Sequence, residues 1–311
     1  VWAIGILAIV SGVLGLAGEA NKLFPIILIV IGALALGACG GEAELGTEEN
    51  PIVWAFVPSG ETERVAAGSE AVADLIFEET GLYVDTFVAT EYAGVIEAMC
   101  ADPPKAHVGS LATFAYILAS DQDCAEAELV SVRFGSPTYN GQIFVHADSA
   151  YETLADLDGV SFCRADALST SGWVIPSIDL AAAGVTVEPV DAGSHDAAVA
   201  GVYNGDCEAG SSYVDARGTI EEEHPDVMDV VKVIHQSVAI PNDGVQYSSG
   251  VTRELRDVLN AAMLAIIATE EGEEAFNTAY SWSALEPHDD TFYDPFRQLL
   301  DAAGINAADL Q

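Results

Sequence analysis

From Ile52 to Ala119 the chain alternates short apolar runs that read as buried strands with longer stretches of helical spacing. Ile52 to Val57 is strand-like and ends at Pro58-Ser59-Gly60. Glu61 to Thr80 then carries Val65, Val72, Leu75 and Ile76 on one side, and Gly81 stops it. Leu82 to Ala89 alternates as a strand, Thr90 stands where a helix through Ala101 would be capped, and Ala106 to Val108 runs into Gly109-Ser110. A helix from Leu111 to Ala119 follows. This repetition folds as an α/β unit, a mainly parallel sheet with helices on both faces.

A second unit of the same kind follows. Leu129 to Phe134 and Gln142 to His146 are strand-like, and Gly135 to Gly141, which includes Tyr139, reads as a crossing into it. Then come a short helix at Leu154 to Leu157, a strand at Val160 to Cys163, and Ser169-Thr170-Ser171-Gly172 opening a helix from Trp173 to Ala183. A strand at Val185 to Val190 leads to Gly193-Ser194-His195-Asp196, a helix from Ala197 to Tyr203 and a strand at Cys207 to Ser211. Strands at Val230 to Ile234 and Val238 to Ile240 lead to a return crossing at Pro241-Asn242-Asp243-Gly244. The final third is expected to be mostly helical, with helices at Thr252 to Ala268, Glu271 to Tyr280 and Pro295 to Ala303 and a loop from Trp282 to Tyr293. The 311 residues suffice for two cores. The expected organisation is one lobe of residues 51–137 plus 241–311 and a second of 138–240, after a signal or membrane segment (1–38) and a linker (39–50).

Acidic residues spread along the whole chain give a formal net charge of −39. Nucleic acid and anionic membrane surfaces are therefore not expected partners, and a solvated acidic surface explains the charge without a cation site. An anionic ligand would be repelled at long range, so an anion site must act through close, directed hydrogen bonds. The N-terminal region resembles a bacterial lipoprotein signal: an apolar run from Leu23 to Ala38 follows Lys22 and ends in Leu36-Gly37-Ala38-Cys39, before the Gly/Glu-rich stretch Gly40 to Asn50. Cys39 is the expected lipidated residue, which places the chain on the outer face of the cytoplasmic membrane. Val1 to Leu16 is a second apolar stretch, short for a membrane span. The remaining cysteines, Cys100, Cys124, Cys163 and Cys207, are even in number in an exported chain. Sequence-local pairing, Cys100 with Cys124 and Cys163 with Cys207, would put one disulfide in each lobe, though three connectivities exist.

Several loops share a small polar residue at the carboxyl end of a strand just before a helix: Ser59-Gly60, Thr90-Glu91-Tyr92, Gly109-Ser110, Ser169 to Gly172 and Gly193-Ser194-His195. Each alone is accounted for as a helix cap. Together they mark a crevice at the strand ends of an open α/β fold, where ligands bind. Ser169 to Gly172 is the sharpest of them, since hydroxyls, free N–H groups and a helix dipole would converge there on an anion without lysine or arginine. His195 stands at a second helix start, where an imidazolium needs an anion to be favoured. A hydrolase triad of Ser171, His195 and Asp196 is disfavoured, because no Gly-x-Ser-x-Gly elbow surrounds Ser171. No Walker loop, dinucleotide fingerprint or paired-histidine metal site is present, so no cofactor and no metal are expected.

Taken in order, Thr90 to Ile96, Gly109 with Ala115-Tyr116, Ser169-Thr170-Ser171-Gly172 with Pro176, Gly193 to Val199 with Asn204-Gly205-Asp206, and Ile240 to Asp243 resemble the phosphonate/phosphite/phosphate-binding proteins of bacterial ABC importers. The resemblance spans roughly Ile52 to Ala303. It implies a two-lobed type II periplasmic binding protein, monomeric and without enzymatic activity, that delivers a phosphorus oxyanion to a permease and its ATPase. It also implies that Ser169, Thr170, Ser171 and His195 hold the oxyanion, that Tyr92 packs over it, and that Asp243 and Asp215 stand where the family receives an amino group. Ser59, Ser110 and Tyr139 complete the candidate set. The family's second phosphonate-side tyrosine falls at Val108 here, and Asp215 must reach the ligand for an ammonium to be paired. The expected ligand is therefore phosphate, phosphite or a simple phosphonate. A sulfonate, nitrate or organic ligand in the same fold, or a sensory module, are the alternatives.

Overall fold

The computed structural model describes residues 43–305; the expected signal segment and Cys39 lie outside them. Strand β1 (Ile52–Phe56), helix α1 (Thr62–Thr80), β2 (Val84–Val88), α2 (Tyr92–Cys100), β3 (Val108–Ser110), α3 (Thr113–Ser120) and β4 (Glu126–Val132) build the first lobe. Helix α1 forms where the sequence spacing places it. Val65, Val72 and Ile76 are buried, and Gly81 ends the helix in the left-handed conformation at φ 76°, its N–H bonded to Phe77 O.

Strand β5 (Thr138–His146) opens the second sheet. There follow β6 (Ser161–Arg164), α4 (Ile175–Ala182), β7 (Glu188–Asp191), α5 (His195–Asn204), β8 (Ala209–Tyr213), α6 (Val227–Val230) and β9 (Val231–Pro241). The two strands expected between Val230 and Ile240 are one continuous strand, β9, paired along its length with β5. The chain then re-enters the first sheet as β10 (Gly244–Tyr247) and continues through α7 (Arg253–Ile267), α8 (Glu270–Tyr280), β11 (Ala284–Pro287) and α9 (Asp294–Ala302).

The first sheet has the order β11-β4-β10-β3-β1-β2 and the second β7-β6-β8-β5-β9. In the first, β1, β2, β3 and β4 run one way and β10 and β11 the other; in the second, only β5 opposes its neighbours. The final third is mostly helical, as expected, but it also contributes two strands that the sequence does not announce: β10 inside the first sheet and β11 at its edge. Gly244 makes the insertion possible, since a Cβ there would stand 2.0 Å from Leu129 O.

Cys100 pairs with Cys124 and Cys163 with Cys207, one disulfide in each lobe. By loop length alone, each constrains the unfolded chain by about 3–4 kcal/mol. A large apolar cluster fills the first lobe and takes in Val174 and Ile175 from the second. The second lobe has one cluster on each side of its sheet, around Phe144 and Val202 on one and Phe162 and Leu180 on the other. Through Val174 and Ile175 the lobes pack together, so the helix start at Ser169 is pressed against the first lobe. No helix among the described residues is long and apolar enough to cross a membrane.

Candidate ligand-binding site

Strand β6 delivers the chain to Ser169, whose extended backbone (φ −69°, ψ 122°) caps the next helix while its Oγ accepts the N–H of Gly172 at 3.2 Å. A Cβ on Gly172 would come within 2.7 Å of that oxygen, so the tight cap needs glycine. The first turn, Thr170–Val174, is wound as a π-turn in which the N–H groups of Trp173 and Val174 share Ser169 O (2.9 and 3.0 Å). Ser211 Oγ on β8 donates to Gly172 O at 2.6 Å and fastens the turn to the sheet. The leading N–H groups of this turn have no acceptor one helical turn back, and the positive end of the dipole faces the space between the lobes.

Helix α5 begins beside it. Ser194 caps it, accepting from Ala197 N–H at 3.1 Å, and His195 N–H donates across the cleft to Ser59 O at 3.1 Å. His195 is 4% exposed, with Nδ1 2.8 Å from Ser212 Oγ and Nε2 3.2 Å from Ser169 Oγ. Burial lowers its pKa to about 4, with a smaller push from the Arg133 charge and an opposing pull from Asp196. His195 is thus neutral at neutral pH, giving the site one ring donor and one ring acceptor instead of a charge.

These groups face a cavity of about 30 Å³ between the lobes, lined also by Ser59, Tyr92, Tyr139, Ser171, Tyr213, Asp243 and Tyr280 and by two arginines, Arg64 and Arg133. The phenols are all held protonated. Burial pushes Tyr139 and Tyr213 up to about 12, and Tyr92 and Tyr280 well above the usual range. Tyr280 spends its proton on Val57 O at 2.6 Å. Arg133, just past β4, donates from Nη2 to Asp243 Oδ2 at 2.8 Å.

Of the residues expected from the sequence, Ser59, Tyr92, Tyr139, Ser169, Ser171, His195 and Asp243 meet at this cavity. Three stand elsewhere. Thr170 Oγ1 is turned away and accepts Phe114 N–H at 2.9 Å, joining the start of α3 to the second lobe. Ser110 lies inside the first lobe and its Oγ accepts from Trp54 Nε1 at 3.0 Å, because β3 is a central strand whose side chains meet those of β1. Asp215 is solvent-exposed in a left-handed turn (φ 73°) after β8, where its carboxylate does not line the cavity. The cradle is also not free of basic residues. Arg64, Arg133, Tyr213 and Tyr280 were not legible as site residues, although Arg133 carried one signal: it is one of only 10 lysines and arginines in the chain and ends an apolar strand.

The lobes are drawn together by polar bonds across the cleft. Asp196 Oδ2 accepts both Glu61 N–H and Arg64 Nη2 at 3.0 Å, while Oδ1 accepts from Thr219 Oγ1 at 2.8 Å. Tyr92 N–H donates to Asp166 Oδ2 at 3.2 Å.

Two α/β lobes joined by two chain crossings, with a polar cavity between them at the helix starts, define a type II periplasmic binding protein. Residues 54–293 match the family of phosphonate ABC transporter periplasmic substrate-binding proteins, and the chain belongs to that family. It is 28% identical over 201 residues to the phosphate-import protein PhnD of Mycolicibacterium smegmatis, covering 58% of this chain and 62% of that one. It is 25% identical over 232 residues to the phosphonates-binding periplasmic protein of Escherichia coli, covering 71% and 68%. The chain thus matches less than two thirds of the length of the first of these relatives. Among solved structures, the binding protein component of an ABC phosphonate transporter from Pseudomonas aeruginosa superimposes with a TM-score of 0.74 at 22% identity, covering 82% of this chain and 87% of that one.

Proposed function

We propose that this protein is the extracytoplasmic substrate-binding component of an ABC importer, that it captures a small phosphorus oxyanion between its lobes, and that it is held at the membrane by lipid on Cys39. The observation that carries the reading is the convergence, in one cavity, of the Ser169 helix start, Ser171, neutral His195 and Arg133. Hydroxyls, helix N–H groups and a guanidinium are the donors that a tetrahedral oxyanion needs, and they act at short range where the field of a chain charged −39 would repel it. The relatives' names divide between phosphate and phosphonate. That division fits a site built around the phosphorus oxygens. The ligand bridges groups from both lobes and so favours the closed form, which the permease would recognise.

Titration calorimetry against phosphate, phosphite, methylphosphonate and taurine tests the ligand class. Heat with the phosphorus compounds and none with taurine is expected; no heat with any phosphorus compound would sink the proposal. Ser171→Ala and His195→Ala should each weaken binding by about 1–3 kcal/mol through the loss of a hydrogen bond to a charged ligand. Unchanged affinity in both would put the ligand elsewhere. For the anchor, Cys39→Ser should release the protein from the membrane fraction of expressing cells, and retention there would contradict lipidation.

A further inference from the structure

Among the residues lining the cavity, Asp243 supplies the one carboxylate, and both of its oxygens are engaged. Oδ2 accepts from Arg133 Nη2 at 2.8 Å and Oδ1 accepts from Ser131 Oγ at 2.9 Å. Arg133 is less well satisfied: its Nε is buried and has no partner among the described residues. A buried guanidinium donor without an acceptor is costly, and arginine is the side chain best shaped to hold a carboxylate with one nitrogen and a second oxyanion with another.

We infer that Arg133 sets the class of ligand: it takes Asp243 out of use as a counter-ion and offers the ligand guanidinium N–H groups that Asp243 does not occupy, so the cavity accepts phosphorus oxyanions without a cationic group and rejects aminoalkyl phosphonates. This rests on reading the site as a phosphorus-oxyanion receptor. An ammonium brought into the cavity would find Asp243 already neutralised and a guanidinium beside it. His195, neutral here, offers it no negative charge. A buried cation left without a counter-charge is among the more expensive arrangements a protein can hold.

The test compares methylphosphonate with aminomethylphosphonate, which differ by one ammonium, with phosphate as a reference, by calorimetry on the wild-type chain and on Arg133→Gln. In the wild type, methylphosphonate should bind at least about tenfold more tightly than aminomethylphosphonate. In Arg133→Gln, shown to be folded by circular dichroism, that ratio should shrink or invert as Asp243 becomes free, while phosphate weakens. Equal or tighter binding of aminomethylphosphonate by the wild type would overturn the inference, as would an unchanged ratio in the folded variant. Should Arg133→Gln not fold, the wild-type ratio decides. Absence of heat with phosphate and with both phosphonates would instead contradict the receptor reading itself.

Discussion

Burial takes His195 out of the range in which histidine ordinarily titrates, and this has a consequence for the fold as well as for the ligand. Its pKa falls from 6.5 to about 4 in the folded chain, so between those values the unfolded chain binds the proton and the native one does not. Stability therefore rises with pH across that window and is level above it, as far as this group is concerned. The loss on going from pH 6.5 to pH 4 amounts to about 3 kcal/mol. Urea unfolding of the wild type should show this slope, and His195→Gln should flatten it; equal slopes would mean that His195 is not buried neutral. Sequence reasoning found His195 and Ser169 because a hydroxyl or imidazole at a helix start is visible in the order of residues. It misplaced Thr170, Ser110 and Asp215, since whether a side chain faces a cleft or a neighbouring strand depends on sheet packing. Arg133 is not legible for the same reason: its partner at the cavity is Asp243, 110 residues later in the chain.

Helix packing carries the site's far wall. Gly68 on α1 lies against α8, where a Cβ would stand 2.3 Å from Ala279 N. The end of α8 supplies Ala279, Tyr280 and Ser281 to the cavity lining. Gly68→Ala should accordingly cost about 1–3 kcal/mol in urea unfolding and also weaken oxyanion binding, because backbone and not a movable side chain must yield. A variant as stable and as tight-binding as the wild type would show that α1 and α8 do not fix the wall. Most of the alternation of strand and helix was readable, with α1, α7 and β1 close to where apolar spacing puts them. Strands β10 and β11 were not. Each is four residues long, β10 holds glycine and glutamine and β11 ends in proline, so neither has the period of a strand. They are strands because Leu129 and its neighbours on β4 offer them backbone partners.

The whole chain works against its own net charge of −39, which favours expansion and repels the anion it is proposed to bind. Only 10 basic residues oppose 49 acidic ones, and the structure spends several of them where they hold parts together. Arg64 joins Asp196 across the cleft, Arg133 joins Asp243 beside the return crossing, and Arg256 meets Glu126 and Glu128 under α7. Raising KCl from about 0.1 M to about 2 M shortens the range of repulsion to a few ångströms. The unfolding midpoint should then rise by at least about 2–4 °C, the shift that 1 kcal/mol produces in a domain of this size. A falling midpoint would mean that these few ion pairs outweigh the repulsion. The most direct measurement of the central claim is a crystal structure of the protein grown with phosphate. The phosphorus should lie between the lobes, with its oxygens within hydrogen-bond distance of Ser169 or Ser171, His195 and Arg133. Phosphate bound outside the cleft, or a cleft that stays free of it at saturating concentration, would contradict the account.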